Sequence, residues 1–207
     1  MAATLALASG CATRGQRVDG IGLDAIAAAH AQTRDCPSLQ GRYALPGRIV
    51  SDRGDRPVRG ADPWQMLDDL WLDRVPQADL APAQGQIELQ ADADGLWLSH
   101  RPAAAAPARE RVRLDAPPAQ AMQGRNGPAD YAVGCVDGRL FLSRVLVWTQ
   151  MGEVAHYDHV IVALRIEGGD LVMSQWQRRI SKGGLLFSTT RRHQGERRLR
   201  FAPADAM

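Results

Sequence analysis

Gln86-Ile-Glu-Leu-Gln-Ala-Asp-Ala-Asp-Gly95 is the stretch of sequence that decides the fold class. Apolar Ile87, Leu89 and Ala91 alternate with polar side chains, which is the two-residue period of a strand with one buried face. The Asp and Gly residues that follow are those that tight hairpin turns require. The stretch therefore predicts a strand near 86–91 and a hairpin leading into a second strand near 96–101.

Similar turn signals divide the rest of the chain into short apolar runs. They stand at Asp92–Gly95, Asp137-Gly138, Gly168–Asp170, Ser181–Gly184 and His193–Gly195. The runs between them predict strands near 40–45, 86–91, 96–101, 109–115, 131–136, 139–148, 158–167, 171–180, 185–192 and 197–201. Because short turns join antiparallel neighbours, we expect a mainly β fold, an antiparallel meander of about eight to ten strands curled into a barrel or a sandwich.

One amphipathic helix is predicted near 62–75. Asp62 can cap it, Pro63 suits its first position, and Gln65 occupies the capping-box position. Its apolar residues recur at spacings of three and four, which are Trp64, Leu67, Leu70, Trp71 and Val75. Such a stripe usually packs on the protein's own core. The preceding residues 46–61 are rich in Gly, Pro, Asp and Arg and predict a loop.

The composition is that of an ordinary globular protein, but the charge is unevenly distributed. The 207 residues are 45% apolar and 23% charged, with a net charge of +2. From Arg165 to the end there are nine basic and four acidic residues, a net charge of +5. No run of 18 or more apolar residues follows Cys11, so no transmembrane helix is predicted.

Seven arginines near the C-terminus form the main candidate binding site. They are Arg178, Arg179, Arg191, Arg192, Arg197, Arg198 and Arg200, on three predicted strands that hairpin turns place side by side. Like charges on adjacent strands repel unless acids or an anion neutralise them. One interpretation is a solvated edge that discourages strand-to-strand aggregation. The other is docking on phosphate-bearing lipid headgroups or another anionic envelope component, since Arg binds phosphate bidentately.

Motifs of catalysis and of cofactor binding are missing from the sequence. It contains no Gly-x-Ser-x-Gly, Walker loop, Rossmann glycines, His-Glu-x-x-His or paired Cys-x-x-Cys. Their absence disfavours an enzyme, and no catalytic residue or cofactor is predicted. His156-Tyr-Asp-His159 is the best metal candidate, but residues three apart on a strand point to opposite faces. We therefore predict no metal site.

The N-terminal stretch Met1-Ala-Ala-Thr-Leu-Ala-Leu-Ala-Ser-Gly-Cys11 is a small apolar run that ends in a cysteine. It resembles the lipobox of bacterial lipoproteins, in which small residues precede a cysteine that becomes acylated. The resemblance implies cleavage after Gly10 and a lipid anchor, such as palmitate and diacylglycerol, on Cys11. Because Ala12 and not Asp follows the cysteine, it also implies sorting to the outer membrane, facing the periplasm. Nucleic acid is then an unexpected partner.

The resemblance divides the chain into three parts. Residues 1–10 form the signal peptide, 11–35 a lipidated tether and 36–203 a single β-rich domain. The stretch lacks the basic residues that open a signal peptide, so we expect the signal peptide to extend upstream of Met1. Residues 12–20 are polar and contain glycine, as flexible stalks do, and Leu23–Arg34 is Ala-rich and could form a short helix.

With Cys11 lipidated, the remaining two cysteines form one candidate pair. A bond between Cys36 and Cys135 would persist in the oxidising periplasm. The alternative is two buried free thiols, since cysteine is among the most buried residue types.

The predicted domain opens with Cys36-Pro-Ser-Leu-Gln-Gly-Arg-Tyr43. This opening resembles a set of small bacterial envelope lipoproteins without an assigned biochemical role. The resemblance implies a membrane-anchored, non-catalytic interaction or structural module. Gly41-x-Tyr43 also resembles the Gly-x-Trp of the first lipocalin strand. That likeness implies the alternative function, a carrier of a small apolar ligand inside a barrel.

Overall fold

A computed structural model describes residues 16–29, 36–55, 66–67, 85–92, 95–102, 112–113, 129–150, 154–183 and 189–206. These residues form twelve strands and the helix α1. In chain order they are β1 (Arg17–Val18), β2 (Ile21–Gly22), α1 (Leu23–Ala29), β3 (Gly41–Leu45), β4 (Arg48–Gly54), β5 (Gly85–Asp92), β6 (Gly95–Pro102), β7 (Val112–Arg113), β8 (Ala129–Val136), β9 (Arg139–Gln150), β10 (Val154–Glu167), β11 (Asp170–Gly183) and β12 (Thr189–Phe201). A short 3-10 turn follows at Ala204–Ala206.

The strands pair into two antiparallel sheets and a small hairpin. The larger sheet has six strands in the order β4-β12-β11-β10-β9-β8, and the smaller has four in the order β3-β5-β6-β7. Strands β8 to β12 form a meander, as predicted, and turn signals mark two of its four connections. Strand β4 comes from earlier in the chain and pairs with the free side of β12. The mainly β, antiparallel fold is therefore confirmed.

Three of the predicted turns are confirmed. Asp137 and Gly138 join β8 to β9 with φ values of 51° and 66°, and Gly168 and Gly169 join β10 to β11 with 61° and 90°. These left-handed conformations at both central residues are what two-residue hairpins need, and glycine and aspartate tolerate them. Asp92 pairs with Gly95, which places the predicted hairpin between β5 and β6.

The main core lies between the two sheets. Leu45, Ile87 and Leu89 of the smaller sheet pack with apolar side chains of the larger one, among them Leu142, Val162, Leu164, Met173, Leu199 and Phe201. All of these are almost fully buried. The four-stranded sheet thus covers one face of the six-stranded sheet, which we call the inner face.

The opposite face of the six-stranded sheet is covered by the N-terminal segment 16–29, and we call it the outer face. Val18, Leu23 and Ile26 of this segment pack against Phe141, Ile161, Ala163 and Trp176. Helix α1 buries Leu23, Ile26 and Ala29, at the spacing of three that places them on one side. Residues 16–29 lie within the predicted tether, but in the structure they are packed against the domain, because this apolar side has a sheet face to cover.

Of the two expected architectures, a barrel or a sandwich, the described residues do not form the barrel. Among the described residues neither sheet closes on itself, and the strand count exceeds the predicted eight to ten. The two layers instead share the core described above. Strand β4 lies in the predicted loop 46–61, as an exposed edge strand whose pairing with β12 a local period could not reveal.

Two predicted turns are strand residues. Lys182 and Gly183 pair with Thr190 and Thr189, so the turn predicted at 181–184 is wrong for its described residues, which belong to β11. Gly184 lies outside the described part. The prediction at His193–Gly195 is also wrong, because β12 runs straight through it. Gly195 pairs with Gly54 of β4, and a Cβ added to Gly54 would lie 2.2 Å from the Gln194 carbonyl oxygen. The glycines there permit close approach of two strands.

Most of the helix predicted at 62–75 falls outside the described residues. Met66 and Leu67 are described; they are helical and buried in the main core. In the part of the chain that the structure covers, no helix has the length and apolar character needed to cross a bilayer.

Candidate anion-binding cleft

The seven arginines singled out in the sequence lie on β11 and β12, two strands and not the expected three. Because successive side chains of a strand point to opposite faces, the cluster divides between the faces of the sheet. Arg178, Arg192, Arg198 and Arg200 lie on the outer face, and Arg179, Arg191 and Arg197 lie on the inner side. The structure therefore does not bring all seven together.

Four of the seven arginines are neutralised by acids. Arg179 pairs with buried Asp158, Arg197 with Asp52 on β4, Arg198 with Asp19 and, more distantly, Glu196, and Arg200 with Glu167 and Asp170. Most of these pairs join different strands or reach the N-terminal hairpin, whereas Arg198 and Glu196 both belong to β12. They stabilise the sheet, and their charges are not available to a ligand.

The remaining three arginines are Arg178, Arg191 and Arg192. Within the described residues no ion pair to an acid is seen for them. Arg191 and Arg192 are exposed and Arg178 is partly buried. Arg178 on β11 is directly opposite Gln194 on β12, and Arg192 lies two residues from Gln194 on the same face. Arg178 and Arg192 are therefore diagonal neighbours on the outer face. Arg191 points to the inner side.

Arg178 and Arg192 line an open cleft of about 570 Å³ at the end of the outer face. The rest of its lining is formed by Gln16, the segment Arg53–Asp55 and the segment His193–Glu196. Arg53 is a third arginine there for which no acid partner is seen among the described residues. The cleft thus holds three arginines and two carboxylates, those of Asp55 and Glu196.

The two carboxylates of the cleft are partly engaged by the protein itself. Asp55 Oδ1 accepts a 2.7 Å hydrogen bond from the Gln194 backbone N–H, and Asp55 Oδ2 lies 3.3 Å from His193 Nδ1. The backbone hydrogen bond, followed by the charge of His193, lowers the pKa of Asp55. Glu196 lies 3.9 Å from Arg198. The arginines are therefore the groups of the cleft that are free to meet an anion.

Gln16 connects this cleft to the N-terminus of the domain. Its side chain donates to Gln194 Oε1 at 3.2 Å and accepts from Arg178 Nη1 at 3.4 Å. The hairpin β1–β2 follows directly, with Asp19 and Gly20 in its turn at φ values of 50° and 87°. The N-terminal end of the described domain consequently lies on the cleft.

Asp19 fastens this hairpin to the outer face. Its carboxylate, only 2% exposed, lies 3.0 Å from Arg139 Nε, 2.7 Å from Arg165 Nε and 2.8 Å from Arg198 Nη2, and it accepts a 3.2 Å hydrogen bond from Ser174 Oγ. Burial works against the charged form of Arg165, but its hydrogen bonds to Asp19 and Glu167 prevail, and its pKa is raised. One buried acid thus joins four strands of the sheet, β9 to β12, to the N-terminal segment.

Sequence reasoning missed Asp19, Arg53 and Asp55. An Asp-Gly pair between apolar Val18 and Ile21 was a usable hairpin signal for the first. Arg53 and Asp55 carry no local signal, because they reach the cleft only through the long-range pairing of β4 with β12.

The remaining predicted sites lie elsewhere. Cys36 and Cys135, 99 residues apart in the chain, have their sulfur atoms at disulfide-bonding distance. His156 hydrogen-bonds Ser181 on the inner side, whereas His159 stacks edge-on against Trp176 on the outer face. Within the described ranges no three His, Cys, Asp or Glu side chains gather as metal ligands would. Cys11 lies outside the described residues.

No protein-family model, curated protein or solved structure matches this chain.

Proposed function

We propose that this protein is an outer-membrane lipoprotein, anchored through Cys11, whose β domain is a non-catalytic interaction module facing the periplasm. The observation that carries the proposal is the apolar run ending in Ser9-Gly10-Cys11. Several acyl chains give stable attachment, at about 0.8 kcal/mol for each buried methylene.

Two features of the domain support this proposal. Its described part begins at Gln16, five residues after Cys11, so an anchor would hold the packed domain close to the bilayer. Cys36 and Cys135 stand at disulfide-bonding distance, and such bonds persist in oxidising compartments. Both features fit an exported, tethered domain.

The alternative of a lipocalin-like carrier has less support. A carrier needs an open interior, whereas in the described residues Leu, Val, Met and Phe side chains occupy the space between the two sheets. Large pockets for apolar ligands are lined by such residues but are not filled by them. We therefore favour contact through the surface of the domain.

The anchor is tested by the intact mass of the protein extracted from membranes, expressed from its native gene with any upstream start. We expect a chain that begins at Cys11 and carries diacylglycerol and an amide-linked acyl chain. Cys11→Ser is the control, and it should leave the signal peptide uncleaved. A wild-type chain with an unmodified Cys11 would refute the proposal.

The redox part is tested on the same sample by alkylation with and without reductant. We expect Cys36 and Cys135 to react only after reduction. Alkylation of both thiols without reductant would contradict an oxidising location.

A further inference from the structure

Two arginines of the cleft, Arg53 and Arg192, are exposed and a third, Arg178, is partly buried, while the neighbouring arginines are paired with acids. Arg198 and Arg200 have carboxylate partners, but none is seen in the described chain for Arg53, Arg178 or Arg192. Folding thus neutralises most of the basic cluster and leaves a localised positive site. A spread-out solvated edge would not show this division.

The chemistry of the site fits an anion with several oxygens. Arg178 and Arg192 lie diagonally on neighbouring strands, where side chains on one face are about 7–8 Å apart at the backbone. Arginine forks bind phosphate oxygens in pairs. The cleft is open rather than enclosed, so it suits a group presented on a surface.

The position of the cleft limits where its ligand is found. Gln16 touches both Arg178 and Gln194 and stands five residues after Cys11. Five residues span at most about 18 Å when fully extended. An anchored chain would therefore keep the cleft within reach of the headgroup layer of its own membrane.

We infer that the cleft formed by Arg53, Arg178 and Arg192 docks the domain onto the phosphates of anionic phospholipid headgroups. This inference rests on the proposed membrane anchor, because the anchor supplies the proximity. Docking through this cleft turns the end of the outer face where Gln16 lies toward the bilayer. The four-stranded sheet, which covers the inner face, then points away from the bilayer and is available for other contacts.

The test uses the mature chain from residue 11 onward with Cys11→Ser, so that neither an acyl chain nor an uncleaved signal peptide contributes to binding. Association is measured by cosedimentation with phosphatidylglycerol vesicles and with phosphatidylcholine vesicles. We expect clear preference for phosphatidylglycerol, weakened by salt because the contact is electrostatic. Arg192→Gln and Arg178→Gln should each weaken binding about fivefold, the contribution of one basic residue near an anionic surface.

Arg191→Gln is the matched control. It removes the same charge from the same strand, one residue away, but on the opposite side of the sheet. We expect less than a twofold loss for it. Thermal unfolding of the three variants should be alike, since all three arginines lack acid partners among the described residues.

Three results would overturn the inference. The first is equal loss for Arg191→Gln and Arg192→Gln, which would indicate diffuse attraction by net charge. The second is equal binding to both kinds of vesicle. The third is tight binding of inorganic phosphate in the cleft without vesicle association, which would indicate a soluble ligand. Since Cys11 is absent from this test, its failure is distinct from a failure of the anchor, which the mass of the native protein measures.

Discussion

Asp19 offers the sharpest test of how the N-terminal segment is held. Replacing it by Asn removes the charge and keeps nearly the same volume. Asn also accepts the left-handed backbone that Asp19 adopts at φ 50°. The substitution therefore isolates the loss of the carboxylate from any strain in the turn.

The expected cost follows from the surroundings of the carboxylate. Arg139, Arg165 and Arg198 converge on it and are only 21%, 15% and 29% exposed. Removing one partner of a buried ion pair costs about 3–5 kcal/mol. Each arginine still has a second acid nearby and is partly exposed to solvent. We therefore expect Asp19→Asn to lower the free energy of unfolding by about 3 kcal/mol, the lower end of this range.

Asp137→Asn is the matched control, because Asp137 holds the same position in another two-residue turn, at φ 51°, and also pairs with Arg139. Its side chain, however, is 71% exposed, and exposed pairs contribute about 0–1 kcal/mol. Urea unfolding of both variants measures the difference. For a chain of this size we expect melting about 6–12 °C lower for Asp19→Asn.

The idea that buried ion pairs of Asp19 hold the N-terminal segment would be refuted if Asp19→Asn lowered the free energy of unfolding by less than 1 kcal/mol. It would also be refuted if Asp19→Asn and Asp137→Asn lowered this free energy equally. Hydrogen exchange provides a second measure. If the carboxylate fastens the hairpin, the amides of residues 17–22 should exchange faster in Asp19→Asn, while those of β10 change less. Uniform acceleration would show that Asp19 acts on the whole domain.

Three further predictions address the rest of the structure. Replacing Cys36 and Cys135 by Ser together should lower the free energy of unfolding by about 4 kcal/mol, since the bond would close a loop of 99 residues; an unchanged urea midpoint would argue against a bond. Ile26→Ala should lower the free energy of unfolding by about 2–4 kcal/mol, because the Ile26 side chain is 1% exposed where it packs on the outer face. A decrease below 1 kcal/mol in the same assay would mean that α1 is not firmly packed. The hydrogen bond and the charge from Arg165 lower the pKa of Glu167 from its ordinary 4.5. The stabilisation that Glu167 contributes is therefore present above pH 4.5 and is lost as the pH falls through the lowered pKa. Glu167→Gln should flatten the decline of the free energy of unfolding over that pH range, and an unchanged pH profile would contradict the pairing.

Local sequence was sufficient wherever a feature depends on neighbours along the chain. The two-residue period over 86–91 predicted a strand, and Ile87 and Leu89 are fully buried. The predicted alternation is not complete, because Ala91 is exposed and Glu88 is buried beside Arg42. The Asp137-Gly138 turn was predictable because few residue pairs accept two successive positive φ angles. These are constraints of backbone sterics and of side-chain alternation, and the sequence displays them directly.

Local sequence misled where one residue type serves two purposes. Gly195 has the appearance of a turn residue, yet it lies inside β12, where Gly54 of β4 approaches closely. The segment 16–29 is Ala-rich and short, as a tether would be, but Ile26 and Val18 fill a face of the sheet. Neither outcome is visible without knowing which strand or face lies opposite.

The sequence by itself determined that this protein is a mainly antiparallel β protein with a basic C-terminal region, since period and composition are local properties. Only the tertiary structure decided which of those arginines remain available to a ligand. Ion pairing depends on which acid a long-range strand pairing brings within a few ångströms, and so Asp52, Asp158 and Asp19 neutralise Arg197, Arg179 and Arg198. Arg178 and Arg192 are left to line the cleft because no such acid is placed against them among the described residues.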